Sequence, residues 1–370
     1  VSEPFRSTLV VHCIWHPDSD AGAVYGNALF AHLFEDPNDL GSHGLRIPVR
    51  HWSTFEPALE LDYAKKNVLV VFLDDAALGD RSWLQWISAL SEEKIDGETN
   101  RLLPAAVSPR AAQVVDSSIN RWNPIRLHEH EDAIKTAVLL NRVTHSLCRI
   151  YGDSPRAVRV FLSHAKLDGL PIAKAVRDFL QDGSGVDKFF DAQDLLEGEL
   201  WDDAIRKTAS ERNVLLAIRT DAYASREWCR TEVLEAKRGG APVVVLDALD
   251  SVEARGFPYL GNGPSVRWRE GWTRLSMEEL LGILLKQTLR FRYFPSRVED
   301  LCSAYGLAKP ELVMAAPPEL LTVLRARDAS GKARALVYPD PPLGTEELSL
   351  VSEFAPELEP ITPNTLVARG

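Results

Sequence analysis

Short apolar runs along this chain alternate with stretches whose apolar positions recur every three or four residues, a rhythm that predicts alternating strands and helices and hence a parallel α/β sheet. It is clearest in the middle of the chain. Val158-Arg159-Val160-Phe161-Leu162 reads as a strand, Pro171 to Leu180 as a helix and Lys188-Phe189-Phe190 as a short strand. A loop rich in Asp, Leu and Gly then leads to a helix over Leu200 to Ser210, the buried strand Val214-Leu215-Leu216-Ala217-Ile218, a helix over Glu227 to Lys237 and a strand over Pro242 to Leu246. Ser276-Met277-Glu278-Glu279 has the spacing of a capping box and is expected to open an amphipathic helix through Leu289. These elements make a small doubly wound domain, placed at 156–294.

The first half of the chain repeats the pattern. Asn67-Val68-Leu69-Val70-Val71-Phe72 parallels Asn213-Val214-Leu215-Leu216-Ala217-Ile218, and each run is followed by a helical stretch carrying a Trp, Trp83 and Trp228. Leu9 to His16 parallels the strand and turn ending at Ser163-His164, and Asn123 to Leu127 parallels Gly263 to Arg267. Residues 1–150 are therefore expected to be a degenerate copy of the same fold. Two unrelated α/β domains would share some of this similarity. Beyond 294 the pattern is weaker. Pro317 to Arg325 and Glu346 to Phe354 look helical, Ala335-Leu336-Val337-Tyr338 looks like a strand, and prolines 339, 341 and 342 mark joints, so 295–370 reads as a small α/β appendage.

Composition narrows the function classes. A chain of 370 residues has room for two or three domains, and no stretch approaches the length of apolar sequence that crosses a bilayer. Val1 is followed by no apolar signal core, so the start reads as a trimmed end rather than a targeting segment. Cys13, Cys148, Cys229 and Cys302 match no paired zinc or redox spacing and read as reduced thiols of a cytoplasmic protein. The net charge of -11 works against nucleic acid as a partner. His16, Asp18 and Asp20 share one turn, but such a trio is more often solvated than metal-bound, and no metal is expected.

The middle domain carries three ordered motifs. They are Phe161-Leu162-Ser163-His164-Ala165-Lys166-Leu167-Asp168; Phe190-Asp191 followed by Leu195-Leu196-Glu197-Gly198-Glu199-Leu200-Trp201; and Tyr223-Ala224-Ser225-Arg226-Glu227-Trp228-Cys229-Arg230-Thr231-Glu232-Val233. Together they resemble a bacterial Toll/interleukin-1 receptor (TIR) domain of the NAD-cleaving type, the second being its BB loop and the third its catalytic helix. Thr220 and Arg226 depart from the family, where Ser is usual at both positions. The resemblance implies a flavodoxin-like fold, NAD as substrate with no bound cofactor, and Glu232 as the essential carboxylate. It further implies that Ser163, His164, Lys166, Asp191, Leu200, Trp201 and Trp228 line the pocket, and that the domain self-associates. Antiviral defence in bacteria, with a nucleotide or protein trigger, is the setting it suggests.

Chemistry supports one carboxylate. Nicotinamide leaves as a neutral molecule from a cationic pyridinium, so it needs no general acid, unlike an ordinary glycoside. A carboxylate beneath the ribose can stabilise the oxocarbenium-like charge that develops. Trp228 lies four residues before Glu232, on the same helical face. In isolation, Trp228 would be core and Glu232 a solvated helix residue; the flanking motifs favour the catalytic role. Counting four beyond Trp83 lands on Ile87, and Leu84, Gln85 and Trp86 add no carboxylate, so the first copy is expected to be inert. The alternative to an enzyme is a TIR signalling adaptor that acts through TIR–TIR association.

Overall fold

The computed structural model describes residues 6–35, 44–54, 59–113, 122–152, 158–181, 190–191, 213–253, 256–261, 263–328 and 334–368. The chain divides into two units, Val1–Val143 and Thr144–Gly370. In the first, five strands are parallel in the order β2-β1-β3-β4-β5, with β1 Val10–Ile14, β2 Val49–Trp52, β3 Asn67–Leu73, β4 Asn100–Ala106 and β5 Ile125–Arg126. Helices α1 (Asp20–Leu33), α2 (Asp75–Gly79), α3 (Arg81–Glu93) and α4 (Pro109–Gln113) belong to it, and α5 (Asp132–Ile150) starts in it and runs past its last residue. Strands β1 and β3 are buried along their whole length because helices cover both faces of such a sheet. Side-chain oxygens of Ser19, Asp74 and Asp80 cap α1, α2 and α3.

The second unit holds a sheet of the same order. Its strands are β6 (Val160–His164), β7 (Phe190–Asp191), β8 (Val214–Arg219), β9 (Val243–Asp247) and β10 (Ser265–Arg267), arranged β7-β6-β8-β9-β10 and all parallel. Helices α6 (Leu170–Gln181), α7 (Glu227–Gly239) and α8 (Arg274–Tyr305) accompany it. Gly240, at φ 76, ends α7 in the left-handed conformation that glycine adopts without strain. The expected mixed α/β fold with parallel sheets is thus present. The expected helix over Leu200 to Ser210 and the residues Lys188 and Phe189 lie outside the described residues.

Helix α8 differs from expectation at both ends. Thr273, not Ser276, is its N-cap, its hydroxyl oxygen accepting the Ser276 N–H at 3.3 Å. The helix also continues past Leu289 to Tyr305 with Pro295 inside it, because Tyr293, Phe294, Val298 and Cys302 extend its buried face. The expected boundary at 294/295 therefore falls within a helix. Its C-terminal part enters a small core with Val337, Ile361 and Leu366. There, β11 (Leu312–Val313), β12 (Arg334–Val337) and β13 (Leu358–Ile361) form a parallel sheet with α9 (Leu320–Asp328), α10 (Thr345–Phe354) and α11 (Pro363–Ala368). Helix α9 packs on α7, and Lys237 donates to Glu319 at 2.8 Å in a nearly buried ion pair. No helix among the described residues is long and apolar enough to cross a membrane.

Candidate active site

In an open parallel sheet, a crevice forms at the carboxyl ends of two neighbouring strands whose connections leave in opposite directions. In the second unit those strands are β6 and β8: β7 lies to one side of β6, and β9 and β10 lie beyond β8. Four side chains come from the elements that flank it, with α7 packed against β6 and β8. Ser163, near the end of β6, and Tyr223, in the turn after β8, share a hydrogen bond of 2.6 Å between hydroxyls. Cys229 and Glu232 come from α7, on its buried face with Val233 and Ala236. Glu232 is 5% exposed.

The electrostatics agree with this placement. Tyr223 is fully buried, and its hydroxyl is held well above its ordinary pKa, first by loss of solvent and then by the negative charge of Glu232. Burial pushes the Cys229 thiol up to about 12, with the Glu232 carboxylate as the next cause. A thiol so protonated is a small hydrophobe, not a nucleophile. The Glu232 carboxylate thus acts on both Tyr223 and Cys229, second to their burial.

Loops from three strands frame the crevice. After β6, the Asp168 carboxylate accepts the Thr220 hydroxyl at 2.7 Å and the Ala222 N–H at 2.9 Å. Gly169 fits closely in that loop: a Cβ there would stand 3.0 Å from the Ala165 carbonyl oxygen and 3.1 Å from the His164 Cβ, so a larger residue would have to push its neighbours aside. After β8, Arg219 pairs with Glu253, and Asp221 accepts the N–H groups of Asp250 and Ser251 at 3.1 Å, tying in the loop after β9. Arg230 donates to the Ala224 carbonyl at 2.7 Å, locking the start of α7 to the same turn.

Residues 160–280 match the TIR domain. The match covers the second sheet and the start of α8, and leaves the first unit and the C-terminal appendage outside it. No curated protein matches the chain. Among solved structures, tagatose-6-phosphate ketose/aldose isomerase from Escherichia coli is similar at 12% identity over 82% of this chain and 85% of its own, with a TM-score of 0.22, which carries no argument.

Within the TIR domain the expected site residues separate. Ser163 is buried, with its hydroxyl turned to Tyr223. His164, half-buried, ends β6 opposite Ile218, and Lys166 is exposed in the loop that follows. Trp228 is 65% exposed on the first turn of α7, so it is not core. Asp191 lies in β7 opposite Leu162. Leu200, Trp201 and the rest of the BB loop lie outside the described residues.

Sequence reading assigned no role to Tyr223 or Asp168, although both stand inside quoted motifs. Their partners are 52 to 60 residues away, and only folding reveals the pairing. Thr220, noted as a departure from the family, keeps the hydroxyl that the Asp168 contact uses.

The first unit also corrects a count. The buried positions of α3 are Trp83, Ile87, Leu90 and Ser91, and those of α7 are Cys229, Glu232, Val233 and Ala236. Aligned from the first residue of each helix, Trp83 stands with Cys229, Ile87 with Val233 and Leu90 with Ala236. Trp86, rather than Ile87, then stands with Glu232. The two tryptophans that suggested the alignment are opposite in burial, Trp83 being 0% exposed. In the turn considered for a metal, Asp18 is exposed, while His16 is nearly buried and lies 3.5 Å from Asp80. Among the described residues no group of His, Cys, Asp and Glu is placed to hold a metal ion.

Proposed function

We propose that the TIR domain cleaves the bond between nicotinamide and ribose in NAD, with Glu232 facing the sugar. The observation that carries this reading is a buried carboxylate on α7, the helix packed against β6 and β8, and it is between such a pair of strands that an open α/β sheet binds its ligand. Breaking the C–N bond sends its electron pair to the pyridinium nitrogen, so nicotinamide departs neutral and positive charge remains on the ribose. A carboxylate largely removed from water acts on that charge more strongly than a solvated one. Water then gives ADP-ribose; capture by a nucleophile of the same molecule gives a cyclic product. NAD is substrate, and no resident cofactor is needed. The reading extends to an antiviral effector that works in the cytoplasm.

One observation favours a second reading, association as a signalling adaptor. Leu167 and Val252, in the loops after β6 and β9, and Trp228, on the first turn of α7, are 73%, 77% and 65% exposed, and exposed apolar side chains are available for contact with a second domain. The two readings are compatible if self-association through TIR domains completes the enzyme. We further infer that the first unit is a degenerate, inactive copy of the TIR domain, supported by its identical strand order.

Incubating purified protein with NAD at rising concentration and identifying products by chromatography and mass spectrometry tests all of this. Release of nicotinamide, with specific activity rising with concentration, is the expected result. Intact NAD at every concentration at which the protein self-associates would leave the adaptor reading in its place.

A further inference from the structure

We propose that Asp168 is a positioning residue for the Glu232 site, holding the turn that seats Tyr223 and starts α7; the inference rests on the NAD-cleaving reading. Asp168 looks at first like a second catalytic carboxylate, since it stands on the loop beside His164 and Lys166. Its hydrogen bonds indicate otherwise. Oδ1 accepts the Thr220 hydroxyl at 2.7 Å and Oδ2 accepts the Ala222 N–H at 2.9 Å, so both oxygens are engaged by the protein.

What they hold is the segment leading to the carboxylate helix. Immediately after the clamped Ala222, Tyr223 donates its N–H to the Thr220 carbonyl at 3.0 Å, and Arg226 donates to the Tyr223 carbonyl at 3.1 Å. Helix α7 begins at the next residue, Glu227. The Tyr223 side chain returns to β6, where its hydroxyl meets Ser163. The turn is thus pinned to the β6 side twice, by its backbone through Asp168 and by a ring tip through Ser163. If Asp168 let go, Tyr223 and the first turns of α7 would shift together, and Glu232 with them.

The test compares Thr220→Val, which keeps shape and removes the hydroxyl, with Thr220→Ser, which keeps the hydroxyl, and with Asp168→Asn, whose NH2 cannot accept the second donor. Kinetics on NAD, melting, and amide exchange across 221–236 are measured on the full chain. Thr220→Val and Asp168→Asn should lower kcat at least about tenfold, because small misplacements of a reacting group are costly, with KM changed less than about twofold. Thr220→Ser should restore the parent kcat. The double variant Asp168→Asn/Thr220→Val should be no worse than the poorer single one, since both remove the same clamp. Unchanged kcat in both disruptive variants, or an equal loss in Thr220→Ser, would overturn the proposal.

Amide exchange keeps the two ideas apart. If the parent protein does not cleave NAD, the NAD reading fails, and the clamp is judged by exchange alone. Faster exchange from Ala222 through Glu232 in Asp168→Asn and Thr220→Val, but not in Thr220→Ser, supports it. Unchanged exchange there overturns it.

Discussion

The two five-stranded sheets have one strand order, yet the crevice between their first and third strands is filled with opposite chemistry. In the TIR domain it rests on Ser163, Tyr223, Cys229 and Glu232. In the first unit, Ile14 pairs with Val71, four residues after Asn67, as Ser163 pairs with Ala217, four after Asn213. Ala77 stands ten residues after Asn67, as Tyr223 does after Asn213. With the helices in phase, the four counterparts are Ile14, Ala77, Trp83 and Trp86. The first three belong to one buried apolar cluster, and Trp86 packs against it, its ring 4.9 Å from that of Trp83.

The difference teaches what the shared fold requires and what it does not. Tyrosine and cysteine become alanine and tryptophan, a pair of similar summed size, while serine and glutamate become the larger isoleucine and tryptophan, so polarity is lost and apolar volume gained. The first unit's set holds no carboxylate and no hydroxyl; its only side-chain polar atoms are the two indole N–H groups. The polar set carries the desolvation cost of a carboxylate and two hydroxyls, which a core built only for stability avoids. One fold thus supports two interiors, and only one has the groups for chemistry on a cationic sugar.

The first unit places its buried polar groups elsewhere. Trp52 donates its indole N–H to His12 Nδ1 at 3.1 Å, so His12 carries its proton on Nε2 and donates to Asn67 Oδ1 at 3.0 Å. Asn67 in turn donates to Asn100 Oδ1 at 2.9 Å, and the chain of bonds crosses β2, β1, β3 and β4. Such a chain orders the sheet, and its Trp52 end, opposite Ile14, packs against the apolar cluster.

Changes on either side of this comparison should have unequal effects. The largest is expected from Glu232→Gln, which keeps volume and removes the charge beneath the sugar: turnover of NAD should fall at least about a hundredfold. Trp83→Ala empties the apolar counterpart and should destabilise the protein by about 3–5 kcal/mol in denaturant titration, without a direct effect on chemistry.

His12 makes the first unit sensitive to acid. Burial lowers its pKa from 6.5 to about 4, so between those values the unfolded chain binds the proton and the folded one does not. Stability from this group is complete above pH 6.5 and declines as pH falls to about 4, a loss of about 3 kcal/mol. Melting against pH should show that slope, and His12→Gln should flatten it. The smallest effect is expected from Trp86→Glu in the Glu232→Gln background. A carboxylate among Ile14, Ala77 and Trp83 has no site to serve, and NAD turnover should stay at the level of Glu232→Gln.

Much of this could be read from the order of residues. Alternating periodicities located the strands of the second sheet and β1, β3 and β5 of the first, leaving β2 and β4 unread, and three motifs in sequence located the TIR domain. What escaped was set by contacts between distant segments. The pairings of Ser163 with Tyr223 and of Asp168 with Thr220 leave no local trace. The likeness of Trp83 to Trp228 pointed to the wrong phase, because identity of residue type says nothing about which side of a helix is buried. Helix α8 outran its expected end because Phe294 and Val298 continue the buried stripe on either side of Pro295. Strand β13 was unforeseen since Leu358-Glu359-Pro360-Ile361 is short and contains a proline.

The central claim is that the polar interior of the TIR domain, and Glu232 in particular, makes an enzyme of a fold that elsewhere in this chain is inert. The most direct measurement is nicotinamide release from NAD by the parent protein and by Glu232→Gln, at matched concentration and with melting recorded for both. Equal melting, release by the parent, and a loss of at least about a hundredfold in the variant are expected. A variant that melts like the parent and releases nicotinamide at the same rate would contradict the claim.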